Sequence, residues 1–298
     1  MKRKWLMSRN SLVFLLLLVS HLVYAEKLVV YTVNYPLQYF AQRIGGEYIS
    51  VHFPAPKNID PAFWMPTAET INAYQQADLI LLNGAGYAKW VNKVSLPRMR
   101  TVNTSKGFKD KYISIKHSVS HQHGPGGKHA HTGTAFTTWL DLKLAAEQAR
   151  VIYQSLLRKR PEHEDTFKAN YLALEYELLQ LDKKLIEIIA TDPSKRVYAS
   201  HPVYQYFARR YGMDMNVQML EPDVYPSAVQ WNELTNVNNI KWMVWEDRPM
   251  DKTVKRLTEL GISVITLKPC MNVPEEGDFI SVMQSNIDEL AMAYKLKE

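Results

Sequence analysis

Cysteine is almost absent from this chain. Cys270 stands alone in 298 residues, so no intrachain disulfide can form, and the fold must rest on packing. A strong charge of one sign is missing too. The formal charge of +6 owes much to Lys2, Arg3, Lys4 and Arg9, which no acid accompanies in the first 25 residues. Without those four, 32 basic residues face 30 acidic ones, which argues against nucleic acid or an anionic membrane surface as partner. Long apolar runs are scarce. The one at LVFLLLLV, residues 12–19, is far short of the ~20 residues that span a bilayer. The sequence also holds no Gly-x-Ser-x-Gly elbow, no phosphate-cradling glycine loop and no His-Glu-x-x-His helix, so an enzyme is the weakest functional class.

What is present begins with an export pattern. A basic start, the short apolar run and the small-residue site VYA at 23–25 form a secretory signal, with cleavage expected after Ala25. A soluble, monomeric periplasmic protein is the expectation. Apolar residues at 46% then supply enough material for a sizeable core.

The mature chain alternates strand and helix patterns. KLVVYTV, YISVHF and DLILLNGA read as strands, while PLQYFAQRIGG and PTAETINAYQQA read as helices. Such alternation means βα units and a mostly parallel sheet. From Glu162 to Thr191 there is no Gly or Pro, and Phe167, Tyr171, Leu174, Leu178, Leu181, Leu185 and Ile188 share one helical face. Strand candidates resume at RVYAS, NVQML, WMVWE and SVITL. The expected architecture is α/β, with two Rossmann-like lobes, a long rigid helix joining them and a ligand cleft between. Its expected boundaries are a signal at 1–25, a first lobe at 26–160, the linking helix at 161–192 and a second lobe at 193–298.

One stretch breaks the pattern. HSVSHQHGPGGKHAH, residues 117–131, holds five of the nine histidines: His117, His121, His123, His129 and His131. With GPGG at its centre it reads as a long exposed loop. Neutral imidazoles are good ligands for zinc, copper and nickel, so the loop is a metal-collecting arm, or even the main metal site. Binding there should weaken as pH falls through about 6.5, because protonation removes the lone pair.

Several stretches together resemble the zinc- and manganese-type solute-binding proteins of bacterial ABC importers. DPAFWMPTAETINAYQQADLILLNGAGYAKWV, TTWLDLKLAAEQA, SHPVYQYFARRYGM and YPSAVQWNEL resemble four family motifs in the same order. The resemblance implies zinc, or else manganese, copper or nickel, as ligand and a permease of the inner membrane as partner. It also exposes departures. Ala62, Thr137 and Lys268 stand where the family has metal ligands, and Tyr225 replaces a family glutamate. His201 alone is retained. Ala62 has no donor, Thr137 is a poor one, and a protonated Lys268 repels a cation, while zinc wants about four donors. Candidate replacements are Asp60 and Glu246, each with a structural alternative as a hydrogen-bonded carboxylate. Trp64, Thr137, Arg248 and Lys268 are further cleft candidates. Three functions compete: a metal-binding component of an importer, a metal chaperone or buffer acting through the histidine loop, and a binding protein for an anionic or chelated ligand.

Overall fold

The computed structural model describes residues 26–57, 59–122, 128–236 and 240–295. The first lobe is built on β1 (Leu28–Thr32), β2 (Ile49–His52), β3 (Leu79–Leu82) and β4 (Thr101–Asn103). They pair in parallel in the order β2-β1-β3-β4. Helix α1 (Tyr35–Gly45) starts where Asn34 accepts a hydrogen bond from the Leu37 N–H. It stops at Gly46, whose φ of 55° suits a residue without Cβ. Helix α2 (Ala68–Gln76) is capped by Thr67, so Pro66 lies before the cap rather than in the first turn.

The histidine stretch is not a loop. Its backbone forms an antiparallel ribbon of β5 (Ser114–Gln122) and β6 (Lys128–Thr134), and the register pairs His121 with His129 and Val119 with His131. The reason lies in a period-two alternation, His-Ser-Val-Ser-His in the first segment and His-Ala-His in the second. His123 lies outside the described residues.

Two antiparallel helices follow, α3 (Leu142–Lys159) and α4 (Glu164–Ile189). The 26 residues of α4 span about 39 Å at 1.5 Å per residue. Phe167, Tyr171, Leu174, Leu178, Leu181 and Leu185 are buried along one face, with Ile189 closing the row and Ile188 only partly covered.

The second lobe has β7 (Arg196–Ala199), α5 (Gln205–Tyr211), β8 (Asp214–Val217), α6 (Ala228–Thr235), β9 (Trp242–Trp245), α7 (Asp251–Glu259), β10 (Ser263–Thr266) and α8 (Phe279–Lys295). Its sheet is parallel, ordered β10-β9-β7-β8. Helix α4 packs against α1 and α3 on one side and α8 on the other. One apolar core therefore runs through both lobes, from Val30 and Ile80 through Leu174 to Val244 and Leu290. A smaller core of Met243, Trp245, Leu257 and Leu234 fills the far face of the second sheet. Among the described residues no helix is long and apolar enough to cross a membrane.

Candidate metal site

Three strands of the second lobe end side by side, and each delivers one polar side chain. His201 comes two residues after β7, Glu221 follows β8, and Glu246 directly follows β9. Ligand sites in parallel α/β sheets gather at such carboxyl ends. Backbone hydrogen bonds lace the three loops together. Gln218 N–H donates to Ala199 O at 2.8 Å and Leu220 N–H to Ser200 O at 2.9 Å, which lays Glu221 against His201. Ser200 N–H donates to Val244 O at 2.7 Å, and Met250 N–H to Pro222 O at 3.0 Å, which fixes the third loop to the other two.

The result is a compact donor group. His201 Nδ1 lies 3.7 Å from Glu221 Oε1 and 3.7 Å from Glu246 Oε1. Each of the three offers a ligand atom within 4.8 Å of the others. His201 is fully buried and both glutamates are mostly covered. Neighbouring donors on a tetrahedral zinc sit roughly 3.3 Å apart, given bonds of ~2.0–2.1 Å. The two His201–glutamate separations of 3.7 Å stand a few tenths of an ångström beyond that spacing. Two carboxylates and a neutral imidazole also cancel the charge of a dication.

The group faces a cavity of about 1270 Å³. Asp60 lines it from the first lobe, yet stands outside the donor group. Its Oδ1 accepts from the Ala62 N–H at 2.8 Å and its carbonyl from Phe63 and Trp64, the behaviour of a turn-capping residue. Lys89 is pulled down by burial and held up by the charge of Asp60. Lys268 lines the cavity, with Nζ 3.4 Å from Asp247 Oδ1.

The other expected cleft residues are placed elsewhere. Thr137 is buried, and its hydroxyl donates to the Val203 carbonyl at 2.5 Å, so it is committed to the backbone. Trp64 is half-buried and does not line the cavity. Arg248 is exposed, turns toward Asp251 and is likewise outside the lining. Ala62 is fully buried. The backbones of His117, His121, His129 and His131 sit on β5 and β6.

Glu221 is not among the residues that the sequence singles out. Its one local signal is that it follows the strand candidate NVQML, as Glu246 follows WMVW. Only the parallel pairing of β8 with β7 shows that the two ends meet.

Two parallel sheets, one helix spanning them and donors at the strand ends facing a cleft define a two-lobed α/β binding protein. The family described as ZnuA, zinc-uptake complex component A, periplasmic, matches residues 30–293, and the chain belongs to it. The zinc-binding lipoprotein AdcA of Streptococcus pneumoniae strain R6 is 26% identical over 279 residues, covering 89% of this chain and 55% of AdcA. The chain thus spans about half the length of that relative. The high-affinity zinc uptake system protein ZnuA of Bacillus subtilis is 25% identical over 282 residues, covering 89% of this chain and 87% of the relative. The crystal structure of the Zn(II)-bound ZnuA-like domain of Streptococcus pneumoniae AdcA superposes with a TM-score of 0.75 at 23% identity, covering 89% of this chain and 98% of that one. At that identity it supports the fold.

Proposed function

We propose that this chain is an exported, non-enzymatic binding protein that takes a divalent cation, zinc first, and hands it to an ABC permease. The observation that carries the reading is the donor group of His201, Glu221 and Glu246 at the cavity. Family membership supplies the transport context. The reading places the signal at 1–25 with cleavage after Ala25, the lobes at 26–160 and 193–298, and the link at 161–192, with a monomer as the working unit.

The donor set differs from the one the family resemblance implies. His201 is shared, and Glu221 and Glu246 replace donors lost at Ala62, Thr137 and Lys268. One nitrogen and two carboxylates suit zinc, and the oxygen-rich set also admits manganese. Copper and nickel favour more nitrogen, as the five histidines of residues 117–131 would give. A separate capturing role for that ribbon stays compatible with a cleft site. The anionic-ligand alternative is disfavoured by the acidic cavity lining.

Zinc titration calorimetry tests this. Glu221→Gln keeps the shape and removes the charge, so zinc affinity should fall at least tenfold, about 1.4 kcal/mol. His201→Ala should abolish the tight phase. Unchanged zinc binding in both variants would sink the assignment.

A further inference from the structure

The connection between β2 and α2 covers residues 53–67, long for a link inside a compact lobe, and links of that length are usually functional. Lys57, Ile59, Asp60 and Pro61 of this connection line the cavity from the first lobe. Met271, Asn272 and Val273, which follow β10, line it from the second.

The two pieces of wall meet at Asn272. Its Nδ2 donates to the carbonyls of Pro56 at 2.7 Å, Ile59 at 3.0 Å and Lys57 at 3.2 Å. A carboxamide carries two N–H groups, so two of the three carbonyls share one proton. Its Oδ1 accepts from the Val273 N–H at 2.7 Å, which sets the end of the amide that faces the carbonyls.

The segment that presents Asn272 is anchored residue by residue. Lys268 N–H donates to Asn286, Pro269 O accepts from the Trp139 indole, and Met271 O accepts from Tyr35 N–H. The connection opposite is organised by short-range bonds that travel with it. Ile59 N–H donates to Pro56 O at 3.3 Å, and Ala62 N–H donates to Asp60 Oδ1 at 2.8 Å. At Ala62 the chain is tied back to its own lobe, through a bond from Lys89 N–H to Ala62 O at 3.0 Å. Asn272 therefore grips the stretch between β2 and Ala62 from a fixed base.

We propose that Asn272 is a latch that holds this stretch against the second-lobe wall, and that its release admits and frees the cation. This rests on the reading of His201, Glu221 and Glu246 as the cation site. The amide nitrogen is a donor of N–H and offers a metal no lone pair, so the latch acts on passage and not on coordination. Its loss raises the rates of entry and release together and leaves affinity nearly constant.

Asn272→Leu keeps the approximate size, stays neutral and removes both N–H groups. Stopped-flow mixing of zinc with the zinc-free chain reads entry, and mixing the loaded chain with excess EDTA reads release, with a fluorescent zinc indicator reporting free metal. Both rates should rise about tenfold, the scale of one lost hydrogen-bonded group, while the dissociation constant moves less than about threefold. The Ile59 amide should also exchange hydrogen faster in the zinc-free variant, with the amides of β1 unchanged. Asn272→Ala removes the same donors without their bulk and should give the same pair of rates. Faster Ile59 exchange with unaltered zinc rates would make the contact purely structural and overturn the latch. Faster release with unaltered entry would place Asn272 in cation binding and overturn it too. No zinc bound by the unsubstituted chain would overturn the cation site itself, and the latch with it.

Discussion

Lys268 shows how a single side chain sets the character of the cleft. Its backbone is fixed by Asn286, which accepts from the Lys268 N–H and donates to its carbonyl, both at 2.9 Å. Its ammonium answers Asp247 at the cavity wall. The backbone position does not depend on the side chain, so Lys268→Asp should fold. It exchanges a repelling charge for a carboxylate donor, and zinc affinity should rise about tenfold by calorimetry; an unchanged constant would place residue 268 out of reach of the ion. Cys270 is a different case. Burial, followed by the charge of Asp278, pushes its thiol up to about 12. The reactive thiolate is therefore scarce near neutrality. Iodoacetamide at pH 8 should label the native chain far more slowly than the unfolded chain, and equal rates would contradict the burial. At this scale the sequence singles out His201 by its motif and Glu246 by its place after a strand candidate, whereas Glu221 is singled out only by its neighbours in space.

The elements were mostly legible, and the exception is instructive. Strands β1, β2, β3, β7, β9 and β10 fall within the apolar runs that announce them, and α4 follows its three-and-four spacing. Strand β8, Asp214–Val217, starts before NVQML and ends inside it, because its pattern is weakly apolar and its residues largely exposed. The ribbon at 114–134 was hidden by composition. Histidine, serine and glycine suggest a loop, and the alternation beneath them matters only when two such segments pair. The cleft donors His201, Glu221 and Glu246 all follow strands of the second lobe. Deleting residues 117–131 should therefore leave the tight zinc phase of the cleft in place and remove only weaker sites seen at excess zinc. Loss of the tight phase would move the principal site to the ribbon.

Across the whole molecule, contacts between lobes decide how freely the cleft can change. Trp139 of the first lobe is fully buried, and its indole N–H donates to the Pro269 carbonyl of the second at 2.8 Å. Tyr35 N–H donates to Met271 O at 3.1 Å. A polar chain ties three helices: Arg43 on α1 bonds Glu177 on α4 through both guanidinium nitrogens, and Tyr39 on α1 donates to Asp278 just before α8. Burial alone would raise the Asp278 carboxyl. Hydrogen bonds from the Ser281 N–H, the Tyr39 hydroxyl and the Ser281 hydroxyl, with the charge of Arg43, outweigh it and hold the group below its ordinary value. A depressed carboxyl contributes stability that is fully present above the unfolded value near 3.9 and is lost as pH falls through the folded one. Asp278→Asn should lower the thermal midpoint at pH 6 and flatten its decline between about pH 4 and pH 3. Parallel midpoint curves for the two proteins would remove Asp278 from the clasp.

The sequence by itself determined the α/β class, the long helix and the retained histidine, since these follow from local periodicity and from motifs read along the chain. It also shows Ala62, Thr137 and Lys268 at positions where the family resemblance implies metal ligands, and their side chains are poor zinc donors. Only the tertiary structure brings the candidate replacements together. His201, Glu221 and Glu246 are separated by 20 and 25 residues in sequence and share no local pattern; β8, β7 and β9 become neighbours through parallel pairing. That pairing is a long-range condition that no short stretch of sequence carries alone.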